Sequence, residues 1–193
     1  MIKFRKKAFD EVKKIVQAVF QKARVNTGPH DSQITLVFND LLYAKDAMEM
    51  LYTDFLVTDK DGNKKEYQEH DGQYTITLDE DDLLLLIGDP MVAEEIQFEL
   101  RDKNRPRTIV PARTGTDINL VFDEKMIAEN ADKELYQKGI HARMDLQSPK
   151  IIRLDELTDF YIIRLNEKEV TKLTHNPDTF KEFMRMDLWK AGN

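Results

Sequence analysis

Carboxylates supply the densest chemistry in this chain. Asn39-Asp40 and Asp123-Glu124 each stand just past a short apolar run, residues 34–38 and 118–122. Acids at strand ends can present metal ligands or act as a general base. A strand-to-helix junction wants the same residues, because a side-chain oxygen there accepts from the free N–H groups of the following helix. The junction reading is preferred, since metal-dependent hydrolysis through Asp40, Asp123 or Glu124 would require the three carboxylates to converge in one cleft. The string Asp79-Glu80-Asp81-Asp82 offers oxygen ligands suited to Mg²⁺ or Ca²⁺, but its spacing fits no calcium loop. A second string, Asn166-Glu167-Lys168-Glu169, keeps a capping residue and loses half of the charge. Both strings are therefore expected to stabilise helix N-termini.

Other routes to catalysis are thinly supplied. His30, His70, His141 and His175 are isolated and show no zinc spacing. The chain has no cysteine, which excludes a disulfide framework, a thiolate nucleophile and a thiolate metal site. Ser32 and Ser148 are its only serines, and neither sits in a nucleophile-elbow context. Seven glycines occur without a G-x-G-x-x-G pattern or a phosphate-binding loop. No cofactor and no metal are expected, and a binding role is favoured over an enzymatic one.

Cations gather in two places. Lys3, Arg5, Lys6, Lys7, Lys13 and Lys14 lie on a first helix, and Arg101, Lys103, Arg105, Arg107 and Arg113 lie in a central stretch. Phosphate contacts need positive charge more than an elaborate motif, so Lys6, Lys7, Lys13, Lys14, Arg105 and Arg107 are the candidate binding residues. The total charge of -7 opposes nucleic-acid binding, as does the lack of aromatic residues interleaved with the basic ones. A solvated helix face is the ordinary source of such a pattern. Charge is distributed unevenly: residues 1–26 carry +6, residues 27–100 carry -14, and residues 101–193 carry +1. The basic helix could neutralise the acidic stretch within the chain, which is the plainer expectation, or leave two surfaces of opposite sign for partners.

Positioning these residues requires elements, and the chain spells its elements twice. Residues 34–52 over residues 118–136 give eight identities in nineteen positions, among them Leu36/Leu120, Phe38/Phe122, Ala47/Ala131 and Leu51/Leu135. The correspondence resumes three residues out of step, with Tyr74, Ile76, Leu78 and Pro90 matching Tyr161, Ile163, Leu165 and Pro177. Self-similarity of this kind indicates a tandem duplication of a unit of about 85 residues. Each unit opens with an apolar strand and continues into an amphipathic helix, marked in the first by Ala44, Ala47, Leu51 and Tyr52. Asp61-Gly62 and Asp71-Gly72 then predict the turns of a three-stranded meander. In the second unit the turns are expected at Gln147-Ser148-Pro149 and at residues 155–158. Two short helices close each unit, with Asp89-Pro90 and Asn176-Pro177 as cap and first position. Phe180, Phe183 and Met184 form the stripe of the last helix, and Leu188 and Trp189 are expected to pin the tail.

The expected fold is α+β: two tandem copies of a β-α-β-β-β-α-α unit behind an N-terminal amphipathic helix lined by Phe4, Ala8, Val12, Ile15, Val16, Val19 and Ala23. The divisions are residues 1–26 for the helix, 27–100 for the first unit, 101–113 for a basic linker and 114–193 for the second unit. No apolar run approaches the roughly 20 residues that cross a bilayer, and nothing reads as a signal peptide, so a cytoplasmic location is the default expectation. The leading functional expectation is a non-catalytic adaptor, inhibitor or assembly component acting on a protein partner through charged surfaces. Nucleic-acid binding through the basic helix and linker is the alternative, and metal-dependent hydrolysis the third.

Overall fold

Residues 6–28, 33–112, 116–153 and 156–185 are described by the computed structural model. Phe4, Lys3, Arg5, His30, Ser32, Arg113, Leu188 and Trp189, all singled out above, lie outside them. The chain divides into two compact units, one of Met1–Ile87 with Arg185–Asn193, the other of Gly88–Met184. Each holds a four-stranded antiparallel sheet, and seven α-helices occur among the described residues. No described helix is long and apolar enough to cross a membrane.

Unit 1 runs α1 (Lys6–Val19), β1 (Arg24–Thr27), β2 (Ile34–Phe38), α2 (Leu41–Thr53), β3 (Gln68–His70), β4 (Gln73–Leu78) and α3 (Glu80–Leu86), with strand order β1-β2-β4-β3. Its core gathers Phe9, Val12 and Val16 of α1, Leu36 and Phe38 of β2, Leu51 and Tyr52 of α2, and Leu83 of α3, all buried. Helix α1 stops short of the expected Ala23. Gln17 Nε2 donates to the carbonyls of Phe20 and Ala23 at 3.3 and 2.9 Å, which closes the helix end, and the following Val25 and Thr27 enter β1, paired along β2.

The region after α2 has two strands where the spacing predicts three. Asp71 and Gly72 do form the tight β3–β4 turn, both at positive φ of 51° and 72°. Around Gly62, by contrast, the Asp59 carboxylate accepts from the backbone N–H groups of Asp61 and Asn63 at 2.9 Å each. Those donors are spent on a local loop, and a side chain that competes for backbone donors removes them from any ladder.

Unit 2 runs α4 (Pro90–Phe98), a 3₁₀ turn η1 (Asp102–Asn104), β5 (Thr108–Pro111), β6 (Asp117–Phe122), α5 (Lys125–Gln137), β7 (Arg143–Arg153), β8 (Glu156–Asn166), α6 (Glu167–Thr174) and α7 (Thr179–Met184), with strand order β5-β6-β8-β7. Residues from blocks matched at different offsets meet in the same register in both sheets. Phe38 faces Tyr74 and Leu36 faces Ile76 in the first; Phe122 faces Tyr161 and Leu120 faces Ile163 in the second. The stripe of α7 is buried as its spacing predicts, and α7 packs on α4 and α6.

Pro149 does not turn the chain. Strand β7 continues through it with register shifts between Gln147 and Lys150 and again between Ile151 and Arg153. Strand β7 pairs with β8 alone, and a proline without an N–H is tolerated on an edge strand at an irregularity.

Candidate functional site

The acidic junctions resolve into caps and one ion pair. Asp40 is the N-cap of α2, its carboxylate accepting from Leu42 N at 2.8 Å. Asp123 pairs with Arg107, with Asp123 Oδ2 at 3.1 Å from Arg107 Nε, and Glu124 holds the N-cap position of α5 without a side-chain cap bond. Asp79 and Asn166 head capping boxes: Asp79 accepts from Asp82 N at 3.0 Å while Asp82 accepts from Asp79 N at 2.9 Å, and Asn166 with Glu169 repeats the exchange at 3.0 and 2.7 Å. Among the described residues no group of three or more His, Cys, Asp or Glu side chains could hold a metal.

Asp82 departs from an ordinary cap. Only 2% of it is exposed, and Lys65 Nζ lies 2.6 Å from its Oδ2. Burial pushes its carboxyl up to about 6, outweighing the Lys65 bond and the Asp79 N–H, which favour the charged form. Its neighbour Lys64 pairs with Glu49 and lies 5.5 Å from the centroid of the Tyr52 ring, so two lysines fasten the loop after α2 to unit 1.

The candidate cations fall in two different units. Lys6, Lys7, Lys13 and Lys14 all belong to α1 of unit 1. Lys13 is half-buried, and Lys14 bonds to Glu11 at 2.8 Å, an interaction that holds its ammonium above the usual lysine range. Arg105 and Arg107 belong to unit 2, and both guanidinium groups serve the fold. Arg105 Nε donates to the carbonyls of Gln97 and Leu100 at 3.2 Å each, one terminal nitrogen pairs with Asp102, and the guanidinium stacks 4.6 Å from the Phe98 ring centroid. No described ion pair joins a cation of α1 to an acid of residues 27–87. Asp46, Asp61, Glu66, Glu69 and Asp81 there are exposed, and none forms an ion pair with a described residue.

Unit 2 also holds a cluster that spacing alone does not reveal. Glu134 on α5, 8% exposed, accepts from Arg101 N at 3.1 and 3.3 Å and from Asn104 Nδ2 at 2.6 Å. The buried carboxylate thereby seats η1 on α5, and the amide bond fixes which way Asn104 points. Beside it opens a cleft of about 620 Å³ bordered by Phe98, Arg101, Arg105 and Lys138, adjoining a hollow of about 180 Å³ bordered by Lys103, Asn130 and Lys133. Arg101 and Glu134 line both. Phe98 is 65% exposed although it is a large aromatic. A buried Glu in the interior of an amphipathic helix was the signal available here, and its partners 30 and 33 residues away in the chain were not.

No protein-family model matches the chain, and no curated protein matches it significantly.

Proposed function

We propose that this chain is a non-catalytic binding protein, an adaptor, inhibitor or assembly component, that docks on a basic protein partner through the acidic surface of residues 27–87. One observation supports the reading: most of the exposed acids there have no ion-pair partner among the described residues. Two of its four lysines are engaged by Glu49 and by the buried Asp82, no described ion pair joins a cation of α1 to its acids, and the exposed Asp46, Asp61, Glu66, Glu69 and Asp81 form none with a described residue. A single-sign surface steers a partner of opposite sign and fixes its register. Strand β3, exposed along its whole length, carries Glu69 between Glu66 and Asp71 at the sheet edge.

The test is retention of host-extract proteins on the immobilised chain at low salt, against a variant carrying Asp61→Asn, Glu66→Gln, Glu69→Gln and Asp71→Asn. A basic protein held by the parent, eluted by salt and lost by the variant is the expected result. Equal retention by both, or none by the parent, refutes the proposal.

We infer as well that the two units are copies of one duplicated segment. The equal strand order, the shared cross-strand register and the paired capping boxes support this, as does the offset of 84 residues that relates α2 to α5 and β1 to β5.

A further inference from the structure

Folding brings together in unit 2 an arrangement that the linear order of residues keeps apart: an open aromatic ring beside unpaired cations. Phe98 ends α4, Arg101 and Lys103 belong to the turn around η1, and Lys133 lies on α5. Arg101, Lys103 and Lys133 are exposed, and their side chains form no ion pair or hydrogen bond with described residues. The acids nearby are occupied or few. Asp102 is held by Arg105, and Glu134 is buried under Arg101 N and Asn104, with Lys138 Nζ 3.8 Å away. Glu99 is the half-buried remainder on that rim. Arg105 covers one face of the Phe98 ring and leaves most of the residue in solvent.

We propose that the cleft between α4, η1 and α5 binds a single-stranded nucleic acid, stacking a base on the open face of Phe98 and holding adjacent phosphates with Arg101, Lys103 and Lys133. A base finds a flat π surface whatever its identity, and cations placed beside it track the backbone, which is how strands are held without sequence readout. The stacked Arg105 stiffens the platform, and Glu134 sets the cations of η1 opposite Lys133 before any ligand arrives, which lowers the ordering cost of binding. An acidic peptide would satisfy the same cations but has no flat ring to lay on Phe98 at every residue. The site uses no residue of the acidic surface of unit 1, so either proposal can fail without the other.

Fluorescence anisotropy on the full chain with labelled dT12 and rU12 tests it, with a 12-base-pair duplex and a 12-residue polyglutamate as the other probes. Both single strands are expected to bind at low salt, with affinity falling as about the second power of salt concentration for three phosphates. Phe98→Ala is expected to weaken binding about 5- to 100-fold. Lys103→Glu with Lys133→Glu should abolish it, while Lys13→Glu with Lys14→Glu on α1 leaves it unchanged. Apart from the half-buried Lys13 these side chains are exposed, and circular dichroism of each variant verifies the fold. Failure of both strands to bind near 50 mM salt overturns the proposal. So does tighter binding of polyglutamate or duplex, survival of binding in the Lys103/Lys133 variant, or its loss in the α1 variant.

Discussion

Replacing Glu134 by Ala tests how far one buried carboxylate holds the α5–η1 contact. Its oxygens accept from Arg101 N and from Asn104 Nδ2, and Asn104 is itself only 5% exposed. Alanine strands both donors, each costing about 1–3 kcal/mol when left buried and unmade. Relief of the carboxylate's own desolvation offsets part of that, so a net loss of about 2–4 kcal/mol is expected. With a urea slope of about 2 kcal/mol per molar, the midpoint read by far-UV circular dichroism should fall by about 1–2 M. Amide exchange at Arg101, whose N–H the carboxylate holds, should accelerate in step. Glu134→Gln keeps one acceptor and should lose about half as much, and the Asn104→Ala cycle should show coupling of at least about 1 kcal/mol. A loss below about 1 kcal/mol in Glu134→Ala, or unchanged exchange at Arg101, would mean that η1 is seated by something else.

Asp82 predicts a pH dependence. Its carboxyl lies at about 6 in the folded chain against an ordinary 3.8, so the folded state takes up a proton that the unfolded state still releases. Its contribution is therefore fully present below the unfolded value and lost as pH rises through about 6, worth on the order of 3 kcal/mol across that window. Urea midpoints from pH 4 to 7 should show this slope in the parent and lack it in Asp82→Asn; identical profiles would count against it. Gly88→Ala should cost about 1–3 kcal/mol by crowding, because a Cβ there meets Phe183 and Pro111 at 3.0 Å, and the midpoint shift reads it directly. Gly72→Ala meets nothing within 4 Å, so any loss, about 1 kcal/mol, comes from its φ of +72° alone. Asp40→Ala should lower stability by about 1 kcal/mol through the lost cap on Leu42 N, with Mg²⁺ making no difference to the melting temperature of either form.

Helix ends were the most legible part of this chain. Asp40, Asp79, Asp89 and Asn166 read as caps because a carboxyl or amide ahead of an apolar run has a short, local task, and each performs it. The strands β2, β4, β6 and β8 followed from β-branched and aromatic runs, and their antiparallel pairing places the repeated Phe and Tyr side by side. Strands β1 and β5 escaped notice because four residues carry too little periodicity to separate them from a helix end or a linker. The chain turns at Gly62 as expected but without strands to join, and β7 passes through Pro149 without turning: turn residues state where a turn is permitted, and pairing decides what it connects. Charge is visible in a sequence and occupation is not. The guanidinium groups of Arg105 and Arg107 are held by Gln97, Leu100, Asp102 and Asp123, while Arg101, Lys103 and Lys133 form no ion pair with a described residue.

Pro149 bears on how the protein keeps in a tube. The eleven residues of β7 form an edge strand that pairs with no second strand among the described residues, the kind of row onto which a neighbouring molecule can zip and start a fibril. A proline near the middle has no N–H to offer, and the accompanying register shifts break the strand into two shorter stretches that make a poorer template. Restoring that N–H with threonine would barely alter a single molecule, yet concentrated stocks of the repaired chain should cloud and bind thioflavin where the parent stays clear.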